Sequence, residues 1–364
     1  MIQACIYLTA FVVVLSIIVL VHEGGHFFVA RWCGVTVEEF SIGFGKTLFS
    51  RKDKKGTLWK IGAVPLGGYV KMLGDGDAAS MTTKELKVSP SERRKMFLSK
   101  PLWQRALIIV AGPGMNYLFA WIALAGMLFC IGEAVVPPVV GEVMPGLPAE
   151  QAGIMAGDRI LQMNRHPVES YRDILRFVLN QDKTQEMIVQ VERDHQILDV
   201  VVHALQEVDG TQMLGIKSSA ILEVSQKRFS VLGALRRSGE LVWQTTRDMA
   251  LYLKQIIVNK RSAKDMRGPL GIAEASGDAL LGGGLTLFLF IINISIAVGF
   301  MNLLPIPMLD GGHLALYLVE GLTGHSISVR FQTALVWVGC AVLGGLLVFT
   351  LVLDIPRIVQ RIFG

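Results

Sequence analysis

The stretch Val21-His22-Glu23-Gly24-Gly25-His26 lies inside an apolar run that begins at Ile6. Hydrocarbon offers no hydrogen-bond partners, so three ionisable side chains in the middle of a membrane helix are costly and mark a functional site. Their order adds chemistry. Histidines at i and i+4 share one helical face and can share one metal ion, and the Glu beside the first can work on a metal-bound water. Zinc also needs a third protein ligand and an open position for water. The pattern points to a chain that brings a zinc ion, a water and a peptide bond together within the bilayer.

The rest of the composition agrees. Among 364 residues 52% are hydrophobic and 18% charged, with mean hydropathy +0.49, too apolar for an ordinary soluble domain. A net charge of +5, with 30 acidic residues interspersed, excludes a nucleic-acid footprint. Cys5, Cys33, Cys130 and Cys340 show neither CxxC spacing nor a disulfide framework and read as packing residues.

Four apolar segments are long enough to span, roughly 5–30, 103–131, 285–304 and 334–353. The first has no Lys or Arg before it and Arg31 after it, which fits a retained span with its N-terminus outside rather than a cleaved signal. Residues 32–100 carry 13 Lys/Arg against 7 Asp/Glu, and residues 133–279 carry 17 against 19. The short basic loop is expected in the cytoplasm and the long neutral one outside. Counting about 1.5 Å per residue from Ile6 places the two histidines in the cytoplasmic third of the bilayer. The third span, counted from Leu285, delivers Asp310 to the same depth. His313, three residues further on, is the rival ligand.

Leu58 to Met72 reads as short strands broken by Gly67-Gly68, with Gly43-Phe44-Gly45 ahead of them. This apolar patch is too short to span and fits either a membrane re-entrant β-hairpin or a surface hairpin. Residues 134–218 read as a small α+β domain. A strand is expected at Val139–Val143, a helix from Ser170 to Asn180, and a hairpin from Met187–Val191 to Ile197–Val202. Residues 231–258 have the spacing of an amphipathic helix that lies on the membrane or packs on the soluble domain. The expected divisions are 1–132, the first pair of spans with the β loop; 133–220, the soluble domain; 221–280, the amphipathic helix and linker; and 281–364, the second pair.

His22-Glu23-Gly24-Gly25-His26 together with Asn302-Leu303-Leu304-Pro305-Ile306-Pro307-Met308-Leu309-Asp310-Gly311 resembles the paired signature of the site-2 proteases, zinc metalloproteases that cut substrates within transmembrane segments. Phe40-Ser41-Ile42-Gly43-Phe44-Gly45-Lys46 and Pro65-Leu66-Gly67-Gly68-Tyr69-Val70-Lys71-Met72 are similar to the bacterial regulator-of-sigma-E branch. The resemblance implies a polytopic α-helical membrane protein with four transmembrane helices, a re-entrant β-hairpin and an inserted PDZ domain. It implies one Zn2+ per chain held by His22, His26 and Asp310, with Glu23 as general base. Gly67, Gly68, Tyr69 and Val70 would offer an edge to an unwound substrate, and Asn302 would bind substrate backbone or orient a ligand.

Gly146-Leu147-Pro148-Ala149 and Ala156-Gly157-Asp158-Arg159-Ile160 resemble PDZ domains of bacterial proteases. Met213, Leu214, Gly215 and Ile216 would then meet a peptide C-terminal carboxylate, or merely close the domain. Two features depart from the family: a single PDZ domain is evident, and Gly24 replaces the bulky residue common after the Glu. The expected partners are single-pass membrane proteins, such as an anti-sigma factor or signal-peptide remnants, and the lipid bilayer. The expected setting is a bacterial inner membrane, with the active site near the cytoplasmic side and the PDZ domain periplasmic. The competing readings are a catalytically silent PDZ membrane adaptor, which would have no need of Glu23, and a transporter, for which the sequence shows no inverted repeat.

Overall fold

Apolar runs of 20 residues or more can satisfy their backbone in lipid only as helices, and the chain forms them where its apolar runs lie. The computed structural model describes residues 2–74, 89–181, 186–202, 206–208, 211–218, 225–258, 268–325 and 327–363. In chain order these form α1 (Ile2–Trp32), β1 (Val37–Lys52), β2 (Leu58–Met72), α2 (Pro90–Arg93) and α3 (Leu102–Cys130). Next come β3 (Glu133–Val135), β4 (Val140–Val143), α4 (Pro148–Gln151), β5 (Arg159–Met163), β6 (His166–Pro167) and α5 (Tyr171–Asn180). They are followed by β7 (Met187–Arg193), β8 (Gln196–Val202), β9 (Gln206–Val208), β10 (Thr211–Met213), β11 (Ile216–Ser218) and β12 (Ser225–Lys227). The chain then stays helical through α6 (Val231–Ile257), α7 (Pro269–Leu281), α8 (Gly284–Leu303), α9 (Asp310–Thr323) and α10 (Val329–Phe363).

Four stretches are long and apolar enough to cross a membrane: Cys5–Trp32, Leu102–Cys130, Gly284–Leu303 and Arg330–Pro356. Their outer faces leave Leu8, Ile122, Trp337 and Val348 uncovered by protein, a surface that lipid rather than water accommodates.

The chain divides into two units. The first comprises Met1–Ala125, Leu235–Val258 and Ala263–Gly364, and so contains all the elements of the His-Glu-His region. Here β1 and β2 are each continuous strands, longer than the interrupted pieces the sequence suggests, because the glycines bend the pair without ending it. Phe40 lies opposite both Val70 and Trp59, and Ile42 opposite both Gly68 and Ile61. The pair is thus folded over into four tracks, with Gly68–Met72 and Thr47–Lys52 outermost.

Two helices of this unit escape the sequence reading. Gly268-Pro269 looks like a break, yet Pro269 opens α7, since a proline at the first helical position loses no intrahelical bond. The amides of Gly268 and Gly271 donate to the buried Asp354 carboxylate of α10 at 3.2 and 2.9 Å. At its other end, Asp278 accepts from the Tyr7 hydroxyl of α1 at 2.9 Å. The second unlooked-for helix is α9, which begins at Asp310.

The second unit is centred on residues 126–234. Strands in the order β6-β5-β7-β8, with β4 paired to β11, enclose Val140, Ile160, Met163, Ile174, Met187, Val189 and Leu214. Ser170 and Asp173 form a capping box at the start of α5. Asp194 and His195, both at positive φ (48° and 62°), make the tight turn between β7 and β8. The expected boundary at 220/221 lies outside the described residues.

Asp158 closes this unit. Its carboxylate accepts from Arg193 Nε and Nη2, both at 2.7 Å, and from the Met155 amide at 2.8 Å. Burial pushes its carboxyl up, but Arg193 and the Met155 amide outweigh that and hold it below the usual carboxylate range. A carboxyl depressed in the folded state stabilises fully above its unfolded value, near 4, and loses that contribution as pH falls toward the folded value. Asp158→Asn is therefore expected to cost this unit about 1–3 kcal/mol at neutral pH, because it removes a charged acceptor from the Met155 amide and from a solvent-accessible Arg193. Denaturant unfolding of the full chain, followed by proteolytic sensitivity of residues 126–234, measures the loss. The gap between variant and parent should narrow below pH 4.

Candidate metal centre

The site begins with a close approach of two helices. A side chain at Gly25 of α1 would overlap the Ala111 carbonyl of α3, and one at Gly112 of α3 would overlap the His26 ring. Gly25 is therefore the glycine that the motif requires. Gly24 has nothing nearer than the Phe28 ring at 3.8 Å, so nothing in the structure requires a glycine there.

With α3 this near, its polar atoms reach the histidines from behind. His26 Nδ1 lies 2.8 Å from the Ile108 carbonyl, an oxygen that can only accept. His26 therefore carries its proton on Nδ1 and leaves the Nε2 lone pair free. His22 Nδ1 lies 3.2 Å from the carboxamide nitrogen, Nδ2, of Asn116. Ile108 and Asn116, eight residues apart on α3, thus face His26 and His22 on α1 in reversed order.

Asp310 enters from the other end of the chain. After α8, Leu304-Pro305-Ile306-Pro307 turns back, Met308 takes a positive φ of 78°, and Asp310 becomes the first residue of α9. Its Oδ2 lies 3.2 Å from His22 Nε2 and 3.5 Å from His26 Nε2, and the two Nε2 atoms are 3.3 Å apart. Oδ2 is nevertheless a buried atom without a hydrogen-bond partner. A zinc ion held tetrahedrally at about 2.0–2.1 Å spaces its ligand atoms by about 3.3–3.4 Å, the size of this triangle. Among the described residues, His22, His26 and Asp310 are the group whose ligand atoms converge. The donor set, the spacing and the orphaned oxygen all fit a zinc ion. His313, the rival ligand, is exposed and stands outside the group.

The far end of α9 is tied to the same helix that backs the histidines. Arg105 of α3 pairs with Glu320 at 2.7 Å and lies 5.0 Å over the Tyr317 ring. One helix, α3, therefore meets both histidines and also holds the far end of the helix that Asp310 opens.

Glu23 sits beside this triangle with its carboxylate uncommitted to any hydrogen bond among the described residues. Gly68 lies across α1 there. A Cβ on it would meet Val19 Cγ1 and the Ser41 carbonyl at 2.6 Å, and Glu23 Cγ at 3.1 Å. The outer track of the folded-over pair thus runs beside Glu23, about 14 Å along α1 from its end at Trp32. Gly67, at φ 137°, is held under the Phe44 ring, whose face stacks on Tyr69 at 6.1 Å between centroids. Tyr69 donates to Glu39 at 3.0 Å, and Val70 is half-buried opposite Phe40.

The other residues singled out in the sequence lie apart from the triangle of ligand atoms. Asn302 Nδ2 donates to the Val298 carbonyl of its own helix at 3.1 Å. In the second unit Leu214 is buried in the core, and its carbonyl accepts from the Ala149 amide. The Gly215 carbonyl accepts from the Met144 amide, and that of Ile216 from the Tyr171 hydroxyl at 2.8 Å. Met213 ends β10, paired with Gln206.

Sequence reasoning passed over Asn116, Ile108 and the Arg105–Glu320 pair. Two of these left a trace. Asn116 is a polar residue inside an apolar run, and Arg105 is a charge at the edge of one. The Ile108 carbonyl leaves no trace in a sequence.

A model of peptidase family M50 matches residues 10–346. A Rhizobium meliloti protein named as a candidate zinc metalloprotease is 38% identical over 93% of this chain and 93% of its own length. The metalloprotease MmpA of Caulobacter vibrioides is 35% identical, over 98% of this chain and 97% of its own. Among solved structures, the PDZ domain of an SdrC-like protein from Listeria monocytogenes matches at 17% identity and a TM-score of 0.22, covering 24% of this chain and 93% of that one. A likeness that slight carries no argument here.

The two glycines of the motif should separate cleanly. Gly24→Ala is expected to leave metal content unchanged and to stabilise α1 by about 0.5–1 kcal/mol. Gly25→Ala should push α1 from α3 and lower both metal content and the thermal midpoint, read by elemental analysis and thermal unfolding in detergent.

Proposed function

The chain belongs to peptidase family M50 and is a zinc metalloprotease; on that premise we propose that it cuts single-pass membrane proteins inside their transmembrane segments. The observation that carries this reading is the triangle of His22, His26 and Asp310 beside an uncommitted Glu23, all on or next to helices long enough to cross a membrane. A zinc ion bound there supplies a Lewis acid for the scissile carbonyl and for the attacking water. Glu23 takes the proton of that water and returns it to the leaving amine.

A substrate helix hides its scissile carbonyl in its own hydrogen bonds. The outer track Gly68–Met72, running beside Glu23, offers strand pairing that exchanges those bonds for new ones and lays the chain across the site. The exposed apolar residues Phe44, Leu48, Phe49, Ile61 and Val64 of the same pair suit a re-entrant position within the leaflet. Charge distribution supports an N-terminus outside, the site toward the cytoplasm and the 133–220 domain on the outer face of a bacterial inner membrane. That domain acts as a PDZ module for C-terminal peptides, with residues 213–216 at the carboxylate. Substrates of this kind include anti-sigma factors and signal-peptide remnants.

Glu23→Gln is expected to retain one zinc per chain while cleavage of a reconstituted single-pass substrate falls by at least about 10²–10⁴-fold. If the parent protein, with one zinc bound, cleaves no transmembrane segment yet its 133–220 domain binds peptide, the adaptor reading replaces this one.

The ligand assignment has its own test. Asp310→Asn should strip most of the zinc and His313→Ala should not; the opposite pattern would exchange their roles.

A further inference from the structure

We propose that Asn116 is the positioning residue that commits His22 to metal binding: its carboxamide oxygen accepts the Nδ1 proton of His22 and so keeps the Nε2 lone pair turned toward His26 and Asp310. The inference rests on the zinc reading above and concerns a residue that reading does not use.

Asn116 is wholly inaccessible to solvent (0% exposed) in the middle of an apolar helix. A polar side chain in that position is retained only with a specific partner. The partner is His22 Nδ1, 3.2 Å from Nδ2 and on the side of the ring away from the triangle; the proposal exchanges Nδ2 and Oδ1 by a half-turn of the amide. From there the amide reaches neither the metal position nor a substrate, so its effect must pass through the imidazole. The Asn116 backbone is fixed as well: its carbonyl accepts the Ser295 hydroxyl of α8 at 3.1 Å.

The two orientations of the amide differ by a rotation that leaves the contact distance unchanged, and they have opposite consequences. With the nitrogen toward His22, Nδ1 must be the acceptor and the ring proton moves to Nε2. That proton then points into a triangle with edges of 3.2–3.5 Å and occupies the space a cation needs. The same orientation leaves Asn116 Oδ1 a buried acceptor without a donor. With the oxygen toward His22, Nδ1 donates, Nε2 presents a lone pair, and a cation at the centre of the triangle satisfies Asp310 Oδ2. His26 is already in this state through the Ile108 carbonyl. Asn116 gives His22 the matching condition, and both come from one face of α3.

The test uses the full-length protein in detergent micelles, with zinc alone as the probe and competition against a chelator as the readout. Asn116→Leu keeps similar bulk but removes the acceptor, and should weaken zinc binding on the order of 10–100-fold. Asn116→Asp keeps an oxygen toward Nδ1 and should hold zinc within a few-fold of the parent. A role in packing alone predicts the reverse order, since Leu fills the space and Asp adds a buried charge. Equal affinities, or that reverse order, overturn the proposal.

Should either variant fail to fold, the zinc-loaded parent decides by NMR. His22 Nδ1 must carry a downfield, slowly exchanging proton, and one exchanging at the solvent rate overturns the proposal. A parent chain that binds no zinc at all would instead overturn the metal assignment on which the inference rests.

Discussion

Everything at the centre of this protein depends on how closely α1 and α3 approach one another at Gly25 and Gly112. An added methyl on either would fill the space occupied by a carbonyl or by an imidazole. The approach is what lets a backbone carbonyl at Ile108 and a carboxamide at Asn116 reach two histidines from behind. It also fixes where Asp310 must arrive, because α9 is clamped to the same α3 through Arg105 and Glu320. The motif supplies the chemical groups, and the neighbouring helix supplies their orientation.

Such a site would be untenable if its polar groups were taken singly. A lone carboxylate or imidazole in hydrocarbon costs several kcal/mol, and the usual escape is to change protonation state. Here the two histidines and Asp310 face one another, and α3 meets the outward nitrogen of each histidine. The oxygen of Asp310 that points into the triangle has no partner. An orphaned buried acceptor is expensive in a structural role and appropriate where a cation belongs.

Much of the architecture was legible in the sequence because its signals are local. The four long apolar runs, the Ser170 start of α5 and the turn between β7 and β8 each follow from residues within a few positions. What escaped depends on distant partners. Gly268-Pro269 reads as a break because nothing nearby reveals that Asp354 will receive the amides at that helix start. The outer track of β2 reads as a set of fragments because its continuity comes from β1, folded to meet it twice. At the site, spacing identified His22, Glu23 and His26 as a unit and a depth count brought Asp310 near them. The preference for Asp310 over His313 came largely from the family resemblance, because no local pattern announces the backward turn after Pro307. Gly24, which departs from the pattern the motif resembles, would bring a side chain only to ordinary contact with the Phe28 ring, while its neighbour Gly25 carries the steric requirement.

The wide separation of the converging residues along the chain has a consequence for biosynthesis. His22 and His26 lie in the first span, whereas Asp310 follows the third, some 280 residues later. At about 5–20 residues per second, a ribosome needs roughly a quarter of a minute to a minute to cover that distance. Throughout that interval the nascent chain holds two histidines and a glutamate but cannot close the triangle. A zinc metalloprotease is made among many other newly synthesised chains, and this order of residues keeps its metal site incomplete until most of the chain has been made.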